Sequence, residues 1–260
     1  MIKSKKIAVI IPAYNEEKNI GLVIEAMPEF VDDIIVIDDG SIDQTSEVAA
    51  RAGATVNRHE NNRGVGAAFQ SGKSIALKLK SDIIVNIDAD GQFNPKDIER
   101  LIQPILQGTA EFVTASRFRD KEYYPRMSKI KFWGNQMMSS LISQITGQKF
   151  YDVSCGFRAY TRDALLKLNL FGDFTYTQET FLYFAFKKLP IAEIPIRVRG
   201  TREHGKSRVA SNLFRYAYQT LKIIIKTFRD YQPFRLFMLI AVFFFFLSLL
   251  LLGFLLIHYI

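Results

Sequence analysis

The first half of the chain alternates short β-branched runs with stretches of helical spacing. Ile7–Ile11 is stopped by Pro12, Ile34–Ile37 and Ile83–Ile87 each run into acids, Thr55–Asn57 is brief, and a fifth run lies around Phe112–Ala115. Between them Glu16–Met27, Gln44–Ala52, Gly64–Lys80 and Pro95–Leu106 repeat their apolar residues every three to four positions, as amphipathic helices do. Asn15 and Asp43 stand where helix N-caps belong, Pro95 where a first helical residue belongs, and Gly53 where a helix stops. Strand and helix alternation with nearly continuous apolar strands predicts an α/β fold, a mostly parallel sheet buried between helices on both faces.

The end of the chain obeys a different rule. Leu236–Ile257 is 22 residues of apolar side chains, broken only by Ser248 and Gly253 and free of charge. A bilayer span takes about 20 such residues, so a single transmembrane helix is predicted. Before it, Leu213–Arg229 sets Arg215, Gln219, Lys222, Lys226 and Arg229 on one side, with Leu213, Ala217, Leu221, Ile224 and Phe228 on the other. A basic face opposite a bulky apolar face predicts a helix lying in the membrane interface. The chain therefore divides into a catalytic-sized domain at 1–210, a juxtamembrane helix at 211–232 and a span at 233–260.

Charge sharpens this division. The 260 residues carry a formal +8, and from Arg197 to Arg235 ten basic residues face only Glu203 and Asp230, so the whole excess sits in front of the span. That placement predicts contact with lipid headgroups or phosphates, and no nucleic-acid partner, because nucleic-acid binders spread their cations over a folded face. The positive-inside tendency puts everything before Leu236 on the cytoplasmic side of a membrane. The lone Cys155 forms no internal disulfide and suits a reducing compartment.

Polar residues collect where the strands end. Tyr14, Glu16, Asp38, Asp39, Asp88 and Asp90 all sit at or just past predicted strand ends, where open parallel sheets bind ligands. Acids from separate strand ends are expected to converge on one crevice around a single cation. Asp88 and Asp90, two apart after a strand has ended, both reach a hard divalent ion that bridges diphosphate oxygens, with Gln92 as a neutral oxygen ligand.

Three motifs in order resemble family 2 glycosyltransferases of the GT-A fold: Ile10-Ile11-Pro12-Ala13-Tyr14-Asn15-Glu16, Val36-Ile37-Asp38-Asp39-Gly40-Ser41 and Asp88-Ala89-Asp90-Gly91-Gln92. The last resembles the dolichyl-phosphate mannosyltransferase and polyprenyl-phosphate sugar transferase branch. The resemblance covers about residues 5–210 and implies a Rossmann-like nucleotide-sugar-binding domain. It implies that Pro12, Tyr14, Glu16 and Asp39 hold the nucleotide, with Ile37, Asp38 and Ala89 of the same motifs beside it. Asp88, Asp90 and Gln92 then handle Mg²⁺ or Mn²⁺ with the diphosphate. Ser116-Arg117 matches the branch's arginine for the acceptor phosphate, and a guanidinium fork suits a phosphate dianion. Arg126 is a helper there, and Arg202 and Lys206 form a basic loop that contacts phosphates in that branch. Asp90, Arg117 and Lys206 are the expected catalytic residues. Asp152–Arg158 is a further family landmark from which Arg158 is expected to reach the site, and Glu179 falls where many relatives keep a general base. A phosphate acceptor is already ionised and needs none, so Glu179 is assigned to positioning. Trp133, Phe181, Tyr183, Phe184 and Phe186 are expected in the core or facing a membrane. The implied reaction is inverting transfer of a sugar from a GDP- or UDP-linked donor to a dolichyl or undecaprenyl phosphate. Its rivals are a processive polysaccharide synthase or other hydroxyl-acceptor transferase, and a non-catalytic membrane-tethered nucleotide-sugar-binding protein. The synthases' Gln-x-x-Arg-Trp motif is missing around Trp133.

Overall fold

The computed structural model describes residues 2, 4–170, 176–199 and 213–259. Seven strands form one sheet: β1 (Ile7–Ala13), β2 (Asp33–Asp38), β3 (Thr55–Arg58), β4 (Ile83–Asn86), β5 (Phe112–Ser116), β6 (Arg158–Thr161) and β7 (Ile191–Pro195), in the order β3-β2-β1-β4-β6-β5-β7. The pairs β1–β2, β2–β3, β1–β4 and β5–β7 are parallel, as expected. β6 runs antiparallel to both its neighbours, β4 and β5.

Helices cover both faces. α1 (Ile20–Glu25), α2 (Thr45–Arg51) and α4 (Ile98–Leu106) pack one side, where Ile7, Val9 and Ile11 of β1 point. α3 (Val65–Lys78), α5 (Lys129–Thr146), α6 (Arg162–Lys167), α7 (Thr177–Phe186) and α8 (Leu213–Tyr231) lie on the other, where Ala8 and Ile10 point. Burying one such β-branched side chain contributes about 1.5–3 kcal/mol, so the strict alternation along β1 fixes which residues face which helix layer.

The second core is aromatic. Phe112 packs on Tyr160, Phe181 and Phe184, and Phe69 stacks on Tyr176 at 4.2 Å. Phe181, Tyr183 and Phe184 of α7 are core residues, as expected. Trp133 is an outlier to this layer and stands exposed on α5.

Two sequence expectations are corrected here. The helix after β1 begins at Ile20, not Glu16; Asn15 adopts a left-handed backbone and bonds to the loop after β2 instead of capping. α8 does not turn its whole apolar side to lipid: Ile224 is buried in the second core, Phe228 stacks on Phe186 of α7, and Tyr231 meets Tyr183 and Phe186. Tyr218, Leu221 and Ile225 remain exposed beside that seam. Beyond it α9 (Pro233–Tyr259) carries the apolar run Pro233–His258, with none of it buried against the rest of the chain. At 1.5 Å per residue that run is about 39 Å long, enough to cross a hydrocarbon core of about 30 Å.

Candidate active site

Strand register gathers the site at one edge of the sheet. β1 lies between β2 and β4, with Ala13 opposite Asp38 and Ile10 opposite Asn86. Tyr14, Asp39 and Asp88 therefore leave the sheet side by side. Arg158 opens β6 opposite both Asn86 and Thr114. Segment 152–157 thus enters at that same edge, next to Asp88 on one flank and Ser116-Arg117 on the other.

On the β1–β2 side two loops are stitched together. The Asn15 amide donates to Ser41 Oγ and the Ile42 amide to Asn15 Oδ1, both at 2.8 Å, while Glu16 N reaches Thr45 Oγ1 at 2.8 Å. Gln44 N donates to Glu17 Oε2 and Glu17 N to Asp43 Oδ2. Tyr14 and Glu16 are half-buried along this seam, with the Glu16 carboxylate accepting from Asn19. Pro12 is half-buried at the end of β1, whereas Ile37 is wholly inside the second core. Gly40 closes the turn with φ +77°, and a Cβ there would fall 2.7 Å from the Asn61 backbone, so the turn needs glycine on both counts.

The two acids of that turn are tied to the protein. Asp38 accepts from the Ser41 amide at 2.9 Å and from the Ser46 hydroxyl, with Arg58 nearby at 3.7 Å. Asp39 accepts from the Arg63 amide at 3.0 Å and the Gly64 amide at 2.7 Å, and meets His59 Nδ1 at 2.7 Å. The far side of that buried imidazole, Nε2, lies 2.9 Å from Ser71 Oγ of α3. Asp39 thus fixes the 59–64 loop and the start of α3. Among the described residues no group of three or more His, Cys, Asp or Glu is placed to hold an ion.

The candidate metal acids at this strand end are Asp88 and Asp90. Asp90 is buried and accepts from the Gln92 amide at 3.0 Å; Ala89 between them is in the first core. Gly156 crosses Asp88 so closely that a Cβ there would lie 2.7 Å from Oδ1 and 2.8 Å from Oδ2. This cradle holds the carboxylate where no other side chain fits. Two hard carboxylates fit Mg²⁺ or Mn²⁺ when phosphate oxygens and water complete the shell. Gln92 uses its side-chain nitrogen on the Arg199 carbonyl at 3.1 Å, tethering the strand end to the segment after β7.

Arg117 differs from its expectation. Its fork is already occupied: Nε and Nη2 lie 2.6 and 2.8 Å from the two oxygens of Asp152, and Nη2 also donates to Ser154 Oγ. Burial opposes charge on both partners, yet Asp152 holds the guanidinium firmly protonated, and Arg117 with nearby amides draws the Asp152 carboxyl below its ordinary range. Asp152 is in turn seated by Glu193, whose carboxylate accepts from the Tyr151 and Asp152 amides; burial raises the Glu193 carboxyl and those amides partly offset it. Burial likewise pushes the Cys155 thiol up to about 12.

Other expected residues scatter. Arg126 is exposed on the segment before α5. Arg158 does not reach the site: fully buried, it donates to the Cys155, Val153 and Thr177 carbonyls beneath the rings of Phe112, Tyr176 and Phe181. Glu179 is buried in the first turn of α7. Arg202 and Lys206 lie outside the described residues. His59 and Ser71 took no part in the expected site, because a lone histidine or serine has no spacing by which a sequence could reveal it, and within the landmark Asp152–Arg158 it is Ser154 and Gly156, not Arg158, that stand beside Arg117 and Asp88.

Known proteins resemble this chain in sequence and in fold. The family model described as "Glycosyl transferase family 2" matches residues 8–168. A UDP-N-acetylglucosamine–dolichyl-phosphate N-acetylglucosaminyltransferase of Methanococcus voltae is 34% identical over 214 residues, 74% of this chain and 85% of the relative. An undecaprenyl-phosphate mannosyltransferase of Micrococcus luteus is 29% identical over 224 residues, 80% of this chain and 89% of that one. Glucosyl-3-phosphoglycerate synthase of Mycobacterium tuberculosis, solved with Mn²⁺, uridine-diphosphate-glucose and phosphoglyceric acid, superposes with a TM-score of 0.68 at 23% identity, covering 86% of this chain and 80% of that one, and so shares the fold. Strand-end acids on a mostly parallel sheet, a matching family model over most of that sheet and relatives spanning most of their own length together make the chain a glycosyltransferase that belongs to glycosyl transferase family 2.

Proposed function

We propose that the chain transfers a sugar, with inversion, from a GDP- or UDP-linked donor to a polyprenyl phosphate at the cytoplasmic face of a membrane. The observation that carries this reading is the juxtaposition at one strand edge of a cradled Asp88, its partner Asp90 and the fixed guanidinium of Arg117, in a chain that ends in a helix long and apolar enough to span a bilayer. Relatives named for dolichyl and undecaprenyl phosphates support the acceptor class.

The stitched wall of Pro12, Tyr14, Glu16 and the Asp38-Asp39 turn receives the nucleotide. Asp88 and Asp90, with Gln92 beside them, hold a divalent cation. When bound, that cation neutralises charge on the departing diphosphate. An acceptor phosphate oxygen attacks the anomeric carbon as the bond from that carbon to the diphosphate oxygen breaks, and the nucleoside diphosphate leaves. Because Asp152 occupies the Arg117 fork, Arg117 acts on the acceptor phosphate as a fixed positive wall, assisted by Arg126 and by Arg202 and Lys206 further along the sequence.

The test supplies full-length protein in proteoliposomes with a panel of nucleotide-sugars and a polyprenyl phosphate. Nucleoside diphosphate should be released only when a donor and the lipid phosphate are both present, and Asp90→Ala should abolish release while remaining membrane-inserted. Full turnover by Asp90→Ala would remove the mechanism.

A further inference from the structure

β4 is apolar until its last residue. Ile83, Ile84 and Val85 fill the core, and Asn86 closes the strand with its side chain fully buried. A buried amide is unfavourable unless its hydrogens are used. Both are: Asn86 Nδ2 donates to the Gly156 carbonyl at 2.9 Å and to the Tyr176 hydroxyl at 2.7 Å. A carbonyl only accepts, so the atom facing Gly156 is the nitrogen, and Oδ1 is left buried with no partner among the described residues. An apolar side chain would suit this strand better than a half-satisfied amide. What the amide supplies is its two donors.

Arg158, opposite Asn86 on β6, repeats the arrangement. Its guanidinium donates to the Val153 and Cys155 carbonyls and to the Thr177 carbonyl in the first turn of α7. Two facing side chains of adjacent strands therefore grip the same two objects, the carbonyls of segment 153–156 and the head of α7. Tyr176 stands at that head as the residue before the first turn, with its ring stacked on Phe69. Burial pushes its phenol well up, with Tyr160 and the Asp88 charge adding to this, so it stays a neutral hydroxyl. The gripped segment is the one that crosses Asp88, with Gly156 at the crossing. Asp88 and Gly156 are half-buried at the opening, whereas Asn86, Arg158 and Tyr176 lie behind them in the interior.

We infer that Asn86 and Tyr176 are positioning residues for the Asp88 carboxylate, acting through Gly156, with Arg158 as the second arm of the same clamp. The inference rests on the reading of Asp88 and Asp90 as the metal acids and deepens it. Asn86 lies two residues before Asp88, so its bond to the Gly156 carbonyl ties the carboxylate's own strand to the backbone that crosses it. The bond to Tyr176 anchors that tie to α7.

Tyr176→Phe is the mild variant, because it keeps the ring on Phe69 and deletes only the hydroxyl; Asn86→Leu removes both donors. Free Mn²⁺ is followed by its paramagnetic resonance as full-length protein in detergent is titrated with the metal beside UDP and, in a parallel series, GDP. Each variant should weaken Mn²⁺ binding by about tenfold, the scale of one buried hydrogen bond. Turnover should fall in kcat by a similar factor, with the KM for a polyprenyl phosphate and the metal-free affinity for nucleotide unchanged. Added to Asp88→Ala, Tyr176→Phe should remove no further Mn²⁺ affinity, because the group it positions is gone. A full additional loss in that background overturns the inference, and so does unchanged Mn²⁺ affinity with only a lowered melting temperature. Amide hydrogen exchange at residues 155–157 reads the clamp without metal or turnover: it should quicken in both variants while β1 keeps its protection. Unchanged exchange there overturns the inference, and Tyr176→Phe alone decides it if Asn86→Leu does not fold. Wild-type protein that retains no Mn²⁺ with either nucleotide, but whose variants loosen 155–157, would sink the metal assignment and leave the clamp on Asp88 standing.

Discussion

Single residues hold the two halves of the site in different ways. Asp152 and Arg117 are a largely buried ion pair with two direct hydrogen bonds, so removing one charge strands the other. Asp152→Asn should lower unfolding stability by about 3–5 kcal/mol, read from denaturant melts in detergent. The sign of its pH dependence follows from the depressed Asp152 carboxyl: its stabilisation is complete above the unfolded-state value of about 3.9 and is lost as pH falls through the lower folded value. The Asn variant should show a flatter stability curve across that acidic window. Gly156 acts by absence. A methyl at 156 would collide with both oxygens of Asp88, and displacing a reacting group by about 1 Å costs on the order of 100-fold in rate. Gly156→Ala should therefore lose about 100-fold in kcat with the fold intact by circular dichroism. Adding Asp88→Ala should relieve the steric strain, seen as a recovered melting temperature, without recovering turnover.

At the scale of elements, the strands that were legible are those whose apolar runs are continuous. β1, β2 and β4 are buried on both faces, so their sequences have no polar alternation to confuse. The antiparallel β6 is four residues long and begins with Arg158, a residue that belongs inside only because three carbonyls, two of them just upstream, and three rings from other segments receive it. Nothing local marks it as a strand. The start of α1 differs from its expected place for a related reason: Asn15, Glu16 and Glu17 are bonded to the loop after β2 and the first residue of α2. α8 combines both lessons, since its apolar side is divided between α7 and the outside. Ile224 sits in the α7 seam, nearly inaccessible, and Ile224→Ala should cost about 2–4 kcal/mol, whereas Leu221→Ala on the exposed stripe should cost well under 1 kcal/mol. Thermal unfolding of the two variants in the same detergent compares them directly.

For the whole molecule, a mostly parallel sheet between two helix layers and the strand-end placement of the acids were legible from the alternation of strands and helices, whereas the strand order and the reversed β6 were not. The partners that hold the strand-end acids were not legible either: Asp38 is fixed by the Ser41 amide and the Ser46 hydroxyl, and Asp39 by His59 and the Arg63 and Gly64 amides more than twenty residues away. α9 governs how the protein partitions. With its apolar run unburied in the chain, washing membranes with alkaline carbonate should leave the protein in the pellet, and only detergent should release it.

The reversed direction of β6 has a mechanical consequence. Two chain segments arrive at Asp88 travelling opposite ways, one leaving β4 and one entering β6, and the pairing of Asn86 with Arg158 acts as their gauge. Successive strand residues face opposite sides, so a slip of one position would swing Arg158 out of its aromatic cage and slide Cys155 or Phe157 over the carboxylate in place of a bare α-carbon. The same ladder thus calibrates the interior and the reaction centre, and no chain that pairs these strands out of step can keep one and lose the other.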